Sequence, residues 1–299
     1  MMNRRSFLSA VVLGLAGIPL VGQNLRRMRK KNSDPMATSR YILSQAFRTA
    51  YRDGWNRKPI GECMGNLGML FLGTAYVGGT LEGSGPETCR IDLTGLDCVT
   101  FFENVLGMAR VVKLQNSEKA DWQSLQAEVT RTRYRGGVLG DYTSRLHYTA
   151  DWIRDNIVKN TVVDITPELG GIPLHLDVGF MSANPRYYQP LVSNEAMRAT
   201  IAAIEKEING VPRTVISSAA IANIESQLRT GDIVAIATSK AGLDYAHTGM
   251  IAVVDGVARF LHASQQKKKV VLDVSLSEYV GSVRTHTGVT ILRPLEPRA

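Results

Sequence analysis

The chain has 299 residues, 44% of them apolar, enough for a substantial core in one large domain or two. Its formal net charge of +8 is misleading: seven of its 35 basic residues (Arg4, Arg5, Arg26, Arg27, Arg29, Lys30 and Lys31) stand in residues 1–31, which hold no acid, leaving 28 basic against 27 acidic groups in the remainder. So neutral a body argues against a nucleic-acid binder, which needs its basic surface on the folded domain rather than on a leader.

The first segment reads as an export address. Asn3-Arg4-Arg5-Ser6-Phe7-Leu8 precedes an apolar stretch from Ala10 to Val21 that Gly14, Gly17 and Pro19 interrupt. A charged start and a short, mildly apolar core fit a twin-arginine-type signal better than a spanning helix, which needs roughly 20 apolar residues. A membrane-retained leader is the competing reading, since no clean Ala-x-Ala site follows and the basic cluster from Arg26 to Lys31 is awkward for translocation. The expected organisation is a signal segment and basic linker over 1–31, then a single exported, periplasmic domain over 32–299.

Ser33-Asp34-Pro35 predicts a helix start, with Ile42, Ala46, Phe47 and Ala50 on one face through about Asp53. A second helix is predicted over Glu62–Phe71. The stretch Gly78 to Gly95 is glycine-rich loop that can wall a cleft. It leads to Cys98, which opens a helix whose apolar positions are Phe102, Val105, Leu106 and Ala109. Unpaired amides and the positive end of the helix are expected to lower the Cys98 thiol pKa, making it a nucleophile candidate; a small inert core residue is the bland alternative. Cys63 and Cys89 form either a disulfide or two buried thiols.

Asp121 is a good cap for a helix over Trp122–Arg133, and His147–Val158 again reads as helix. Beyond Val162 the pattern turns strand-like through His175-Leu176-Asp177-Val178, followed by a polar loop with Tyr187 and Tyr188. Asn194 then caps a helix with Met197, Ile201, Ile204 and Ile208 on one face. The tail is a sheet. Gly231-Asp232 turns into a buried strand, His247 leads the next, Asp255-Gly256 closes a hairpin, and His262 lies on the third, so the histidines fall on paired neighbouring strands. That is the disposition a cysteine hydrolase needs for a base and its orienter. Lys267-Lys268-Lys269 reads as a solvated turn, with phosphate or lipid contact the minor alternative. No repeat or low-complexity linker divides the chain, so one α+β domain is the economical reading.

The order Cys98, Gly231-Asp232-Ile233, His247-Thr248-Gly249 and Leu261-His262-Ala263-Ser264 resembles the NlpC-type branch of the papain-like cysteine hydrolases. Longer segments, Leu72 to Glu82, Arg145-Leu146-His147-Tyr148 with Asp151-Trp152, and Gly242-Leu243-Asp244, resemble its N-acetylmuramoyl-L-alanine amidase-like family; the likeness runs from Arg40 to Arg293. The resemblance implies a papain-like fold, with the nucleophile-bearing helix packed on a mainly antiparallel sheet and family-specific helical and loop insertions. It makes Cys98 the nucleophile, His247 the base and His262 the third member, a place Asn or Gln fills in some relatives. It sets Tyr76 at the oxyanion and Thr80, Arg145, His147 and Asp151 against an anionic, sugar-bearing substrate, with no cofactor. Peptidoglycan fragments, above all small anhydro-muropeptides cut between N-acetylmuramic acid and L-alanine, are the implied substrate. A D-glutamyl-diaminopimelate-type endopeptidase is the runner-up within the fold. Two readings of other classes compete: a zinc amidase using His175 and Asp177, or His147, Asp151 and Asp155 at helical spacings of four; and a non-catalytic wall-binding module, in which Cys98 is dispensable.

Overall fold

The computed structural model describes residues 34–115, 117–119 and 121–298, and the leader expected over residues 1–31 lies outside them. Helix α1 (Pro35–Arg52) begins where Asp34 accepts hydrogen bonds from the amides of Met36 and Ala37, satisfying two of the donors a helix start leaves open. It is followed by α2 (Ile60–Leu70), the short strands β1 (Ala75–Tyr76) and β2 (Gly95–Leu96), and α3 (Cys98–Leu114). Thirteen of the seventeen residues of α3 are buried, so it is the central helix. α4 (Trp122–Arg133), capped by Asp121, packs along it. Their close approach depends on Gly107, where a Cβ would lie 2.9 Å from a Val129 methyl carbon.

Two expected elements shift. α5 runs Thr149–Val158 rather than from His147, because Tyr148 is still extended and Arg145 forms an isolated β-bridge with Tyr134. His147, Asp151 and Asp155 therefore do not share a helix face. The strand expected at His175–Val178 forms earlier, as β4 (Ile172–Leu174), paired with β5 (Arg213–Ser217). Between them, α6 (Glu195–Asn209) starts at its Asn194 cap and buries Ile201 and Ile208.

The remaining strands are β3 (Val162–Asp164), β6 (Ile233–Thr238), β7 (Tyr245–Val254), β8 (Val257–Ser264), β9 (Lys269–Ser275) and β10 (His286–Pro294), with the short α7 (Leu276–Gly281) after β9. They join in one sheet in the order β2-β1-β9-β8-β7-β6-β10-β5-β4, with β3 also on β10. The β1–β2 pair is parallel and the others antiparallel. The β7–β8 turn has φ of +52° at Asp255 and +78° at Gly256, the left-handed pair that matches strand twist in a two-residue hairpin.

Alternation along the strands separates two cores. Ile233, Ala235, Met250 and Leu261 face the helices, while Val234, Ile236, Ile251 and Phe260 face α7. No helix among the described residues is long and apolar enough to cross a membrane.

Candidate active site

Cys98 occupies the first turn of α3. Asp97 caps that turn, accepting from the amides of Val99 and Thr100, while its own amide donates to the Thr100 hydroxyl. This cap reverses the expected electrostatics of the thiol: the carboxylate takes up the amides that would stabilise a thiolate and adds a negative charge beside it. Burial first, and Asp97 second, push the Cys98 thiol up to about 11, against a smaller opposing pull from hydrogen bonding to Thr248. The buried Thr248 hydroxyl forms no well-aligned hydrogen bond among the described residues. Cys98 thus lies against the residue that directly follows His247. Because alkylation needs the thiolate, the iodoacetamide rate should climb with pH past 9 with no plateau near neutrality; a plateau below pH 8, read by intact mass, would contradict a raised thiol.

The two histidines meet. His247 Nε2 lies 2.6 Å from His262 Nδ1, and His262 Nε2 lies 3.3 Å from Asp273 Oδ2. Lys267 Nζ donates to that same carboxylate oxygen at 2.7 Å. His262 is fully buried. Burial lowers both imidazoles, His247 to about 3 and His262 to about 4, with Asp273 opposing the shift at His262. Burial pushes the Asp273 carboxyl up, but the hydrogen bonds from Lys267, the Val274 amide and His262 outweigh it and hold the group below its ordinary value. At neutral pH the chain therefore runs from a neutral thiol through two neutral imidazoles to a carboxylate and an ammonium.

Sequence reading did not single out Asp273 or Tyr279. The signal for Asp273 was an acid inside the apolar run Val270-Val271-Leu272-Asp273-Val274; His262 pairs with Val271, so the residue two further on shares its face. Lys267 lies in the exposed turn as read, and its ammonium also bonds Asp273. Tyr279 of α7 packs its ring 6.0 Å from that of His247 and 4.7 Å from that of His262. Burial, then Asp273, then Cys98 raise its hydroxyl to about 12, so it lies within electrostatic reach of the sulfur as well. Tyr76, on β1 beside the β2 segment that enters α3, is raised to about 12 by burial, Cys98 and Asp97. His286 sits 6.0 Å from the Tyr279 ring.

Glycine is required at 249. A Cβ there would lie 2.6 Å from Phe260 and 2.8 Å from the His262 Cβ, so Gly249→Ala should push His262 off its partners and lower turnover more than tenfold. Crystallographic or histidine-NMR comparison of the variant checks the displacement.

The other expected substrate residues are engaged internally. Arg145 is buried, donating to the Leu81 carbonyl and to Glu82, with its guanidinium over the Tyr142 ring. Asp151 accepts two hydrogen bonds from Arg135. His147 lies against Tyr142, with Nε2 at 2.8 Å from the Tyr142 carbonyl oxygen, and burial followed by Arg145 lowers it to about 3. Thr80 is half-buried in the Gly78–Gly95 loop. Arg145 alone of these braces the loop, at Leu81 and Glu82, while His147 and Asp151 bond to Tyr142 and Arg135 outside it. Cys63 and Cys89 are separate buried thiols. Among the described residues no three His, Cys, Asp or Glu side chains are placed to hold a metal. A cavity of about 930 Å³ opens at the far end of β7 between Ile60, Asp232, Val253 and Arg293, and Cys98 does not line it.

The AmiA-like family, described as N-acetylmuramoyl-L-alanine amidase-like, matches residues 66–289. No curated protein matched the sequence. Among solved structures, an N-acetylmuramoyl-L-alanine amidase from Bacteroides uniformis is 31% identical with a TM-score of 0.73, covering 79% of this chain and 99% of its own. A Bacteroides fragilis protein provisionally described as a xylanase is also 31% identical, with a TM-score of 0.69 over 76% of this chain and 98% of its own. A Legionella pneumophila protein shares the fold at 21% identity and a TM-score of 0.65, covering 87% of this chain and 96% of its own. The family match takes in Cys98, His247, His262, Asp273 and Tyr279 together, and the protein belongs to the AmiA-like, N-acetylmuramoyl-L-alanine amidase-like family.

Proposed function

We propose that this protein is an exported cysteine amidase of papain-like, NlpC type, which hydrolyses the bond between N-acetylmuramic acid and L-alanine in small peptidoglycan fragments, anhydro-muropeptides among them. The observation that carries this reading is the hydrogen-bonded series His247, His262, Asp273 arriving on the strand residue next to Thr248, against which the Cys98 sulfur lies. A nucleophile, a base and an orienter in series are the parts of acyl transfer through a thioester. The bond itself is inferred from the family.

Since burial keeps both partners neutral at rest, His247 takes the thiol proton as sulfur attacks the carbonyl carbon. The tetrahedral oxyanion then accepts hydrogen bonds from the Cys98 amide and the Tyr76 hydroxyl, charge stabilisation of the kind that dominates acyl transfer. His247 returns its proton to the departing alanine nitrogen. Water, deprotonated by the same imidazole, releases the muramic-acid carboxylate from the thioester. A glycosidase reading, suggested by the Bacteroides fragilis neighbour, is less well served. Retaining or inverting hydrolysis needs two carboxyl groups free to flank a glycosidic bond, and near Cys98 Asp97 is committed to the helix cap and Asp273 to His262 and Lys267.

The domain is proposed as one unit over residues 32–299, with 1–31 as leader. Mass analysis of products from a defined anhydro-muropeptide tests the reaction. A free stem peptide beginning at L-alanine supports it. Release of a fragment beginning at the third residue would make the enzyme an endopeptidase instead, and activity lost to chelator but not to alkylation would replace the cysteine with a metal.

A further inference from the structure

We propose that Asp273 fixes the tautomers of both histidines, so that His247 meets the Cys98 thiol through Nδ1, and that Lys267, bonded to the same carboxylate, places a positive charge behind the series without setting its direction. Both are positioning residues, and their effect on catalysis rests on the amidase reading above.

The argument is one of donors and acceptors. Asp273 is a carboxylate, which only accepts. His262 Nε2 faces it at 3.3 Å, so the proton of the neutral His262 ring is placed on Nε2, from which it donates. His262 Nδ1 is then bare. That nitrogen lies 2.6 Å from His247 Nε2, and a bare nitrogen requires a donor, so His247 carries its proton on Nε2. The lone pair of the neutral His247 ring is left on Nδ1, the nitrogen turned away from His262. Each step follows from the one before it, and the direction of the whole series is set at the carboxylate end, more than one imidazole away from the reacting sulfur.

The surroundings leave this order without a rival. His262 is fully buried, so no water competes for its nitrogens. The groups packed against the pair are Phe260, on the same β8 as His262, and from other elements Tyr279 on α7, which faces both rings, and His286 on β10, which is lowered by burial and then by Lys240. Lys267 and Asp273 face His262 from the β8–β9 turn and β9. None of the aromatic or imidazole neighbours is a carboxylate. Asp273 is the acceptor that distinguishes one end from the other, and Lys267, whose side chain is itself half-exposed, is its only cationic partner among the described residues.

The test is imidazole nitrogen NMR on the full-length protein with labelled histidine, assigned by single His→Gln variants, in wild type, Asp273→Leu and Lys267→Met. Wild type should show both His247 and His262 protonated at Nε2. Asp273→Leu should shift His262 toward the Nδ1-protonated form and leave His247 in a mixture, with kcat falling roughly tenfold or more, less than the ~10⁴-fold seen when the carboxylate touches the catalytic base itself, because Asp273 acts through His262, and with KM little changed. Lys267→Met keeps the carboxylate at a site where the fold is not at risk; it should retain the wild-type tautomers and move the acid limb of kcat/KM to higher pH, because Lys267 depresses His262. A wild-type His247 protonated at Nδ1, or unchanged tautomers in Asp273→Leu, overturns the assignment. Failure of the amidase reading is distinguishable: it would show as full activity in Cys98→Ala, with the tautomers still as assigned.

Discussion

Cys98→Ala is expected to abolish muropeptide hydrolysis, by roughly 10⁴-fold or more, as removal of a covalent nucleophile does, while leaving the fold intact. The small structural cost follows from position. Cys98 begins α3, and the helix start is secured by Asp97 and Thr100 rather than by the sulfur. Deleting one sulfur atom from a partly exposed first turn should cost about 1 kcal/mol or less, well below the loss for a buried leucine. The informative comparison is therefore activity against thermal stability in one preparation: turnover by product mass, stability by calorimetry. Retained hydrolysis with an unchanged melting temperature would leave the chain a metal enzyme, and no hydrolysis by the wild type itself would leave it a wall-binding module. His247→Ala should fall to a similar residual rate, because nucleophile and base act as a unit and their losses do not add.

Arg133→Leu should be the most destabilising single change in the helical layer, by about 3–5 kcal/mol, the usual cost of breaking a buried pair from one side. Arg133 Nε donates to Glu103 Oε2 at 2.7 Å, with both side chains 2% exposed, and Nη1 donates to the Arg90 carbonyl at 2.5 Å. The residue thus joins α4 to α3, the helix that begins at Cys98, and pins the Gly78–Gly95 loop to both. Losing it strands the Glu103 carboxylate in the core and frees the loop, so turnover should fall together with stability. Urea unfolding measures the first effect. The double variant Glu103→Leu with Arg133→Leu provides the check, since removing both charges should recover part of the loss; a double variant no better than the single one would mean that the loop contact, not the stranded charge, sets the cost.

Most of the local structure was legible from the chain alone. Caps at Asp34, Asp121 and Asn194, the Asp255-Gly256 turn and the apolar spacing after Cys98 are signals carried within a few residues, and each formed where expected because the donors and dihedrals involved are local. The start of α5 was misplaced for a tertiary reason: Arg145 pairs with Tyr134, and that bridge keeps the chain extended through Tyr148. Paired strands also brought His247 to His262 as their spacing implied.

Charge was different. A thiol opening a helix is low by the local rule, yet burial and the Asp97 cap raise it, and burial is a property of everything packed around the sulfur. The family resemblance implies Arg145 and Asp151 as substrate contacts, whereas their bonds to Glu82 and Arg135, on other segments, emerge only from the fold. Asp273, Lys267 and Tyr279 became site residues through strand register and the docking of α7. Short-range hydrogen bonding and apolar periodicity are written into consecutive residues, so the sequence by itself determined the elements and the identity of the nucleophile and histidine candidates. Ionisation and partner choice depend on solvent exclusion and on contacts between distant segments, and these only the tertiary structure decided.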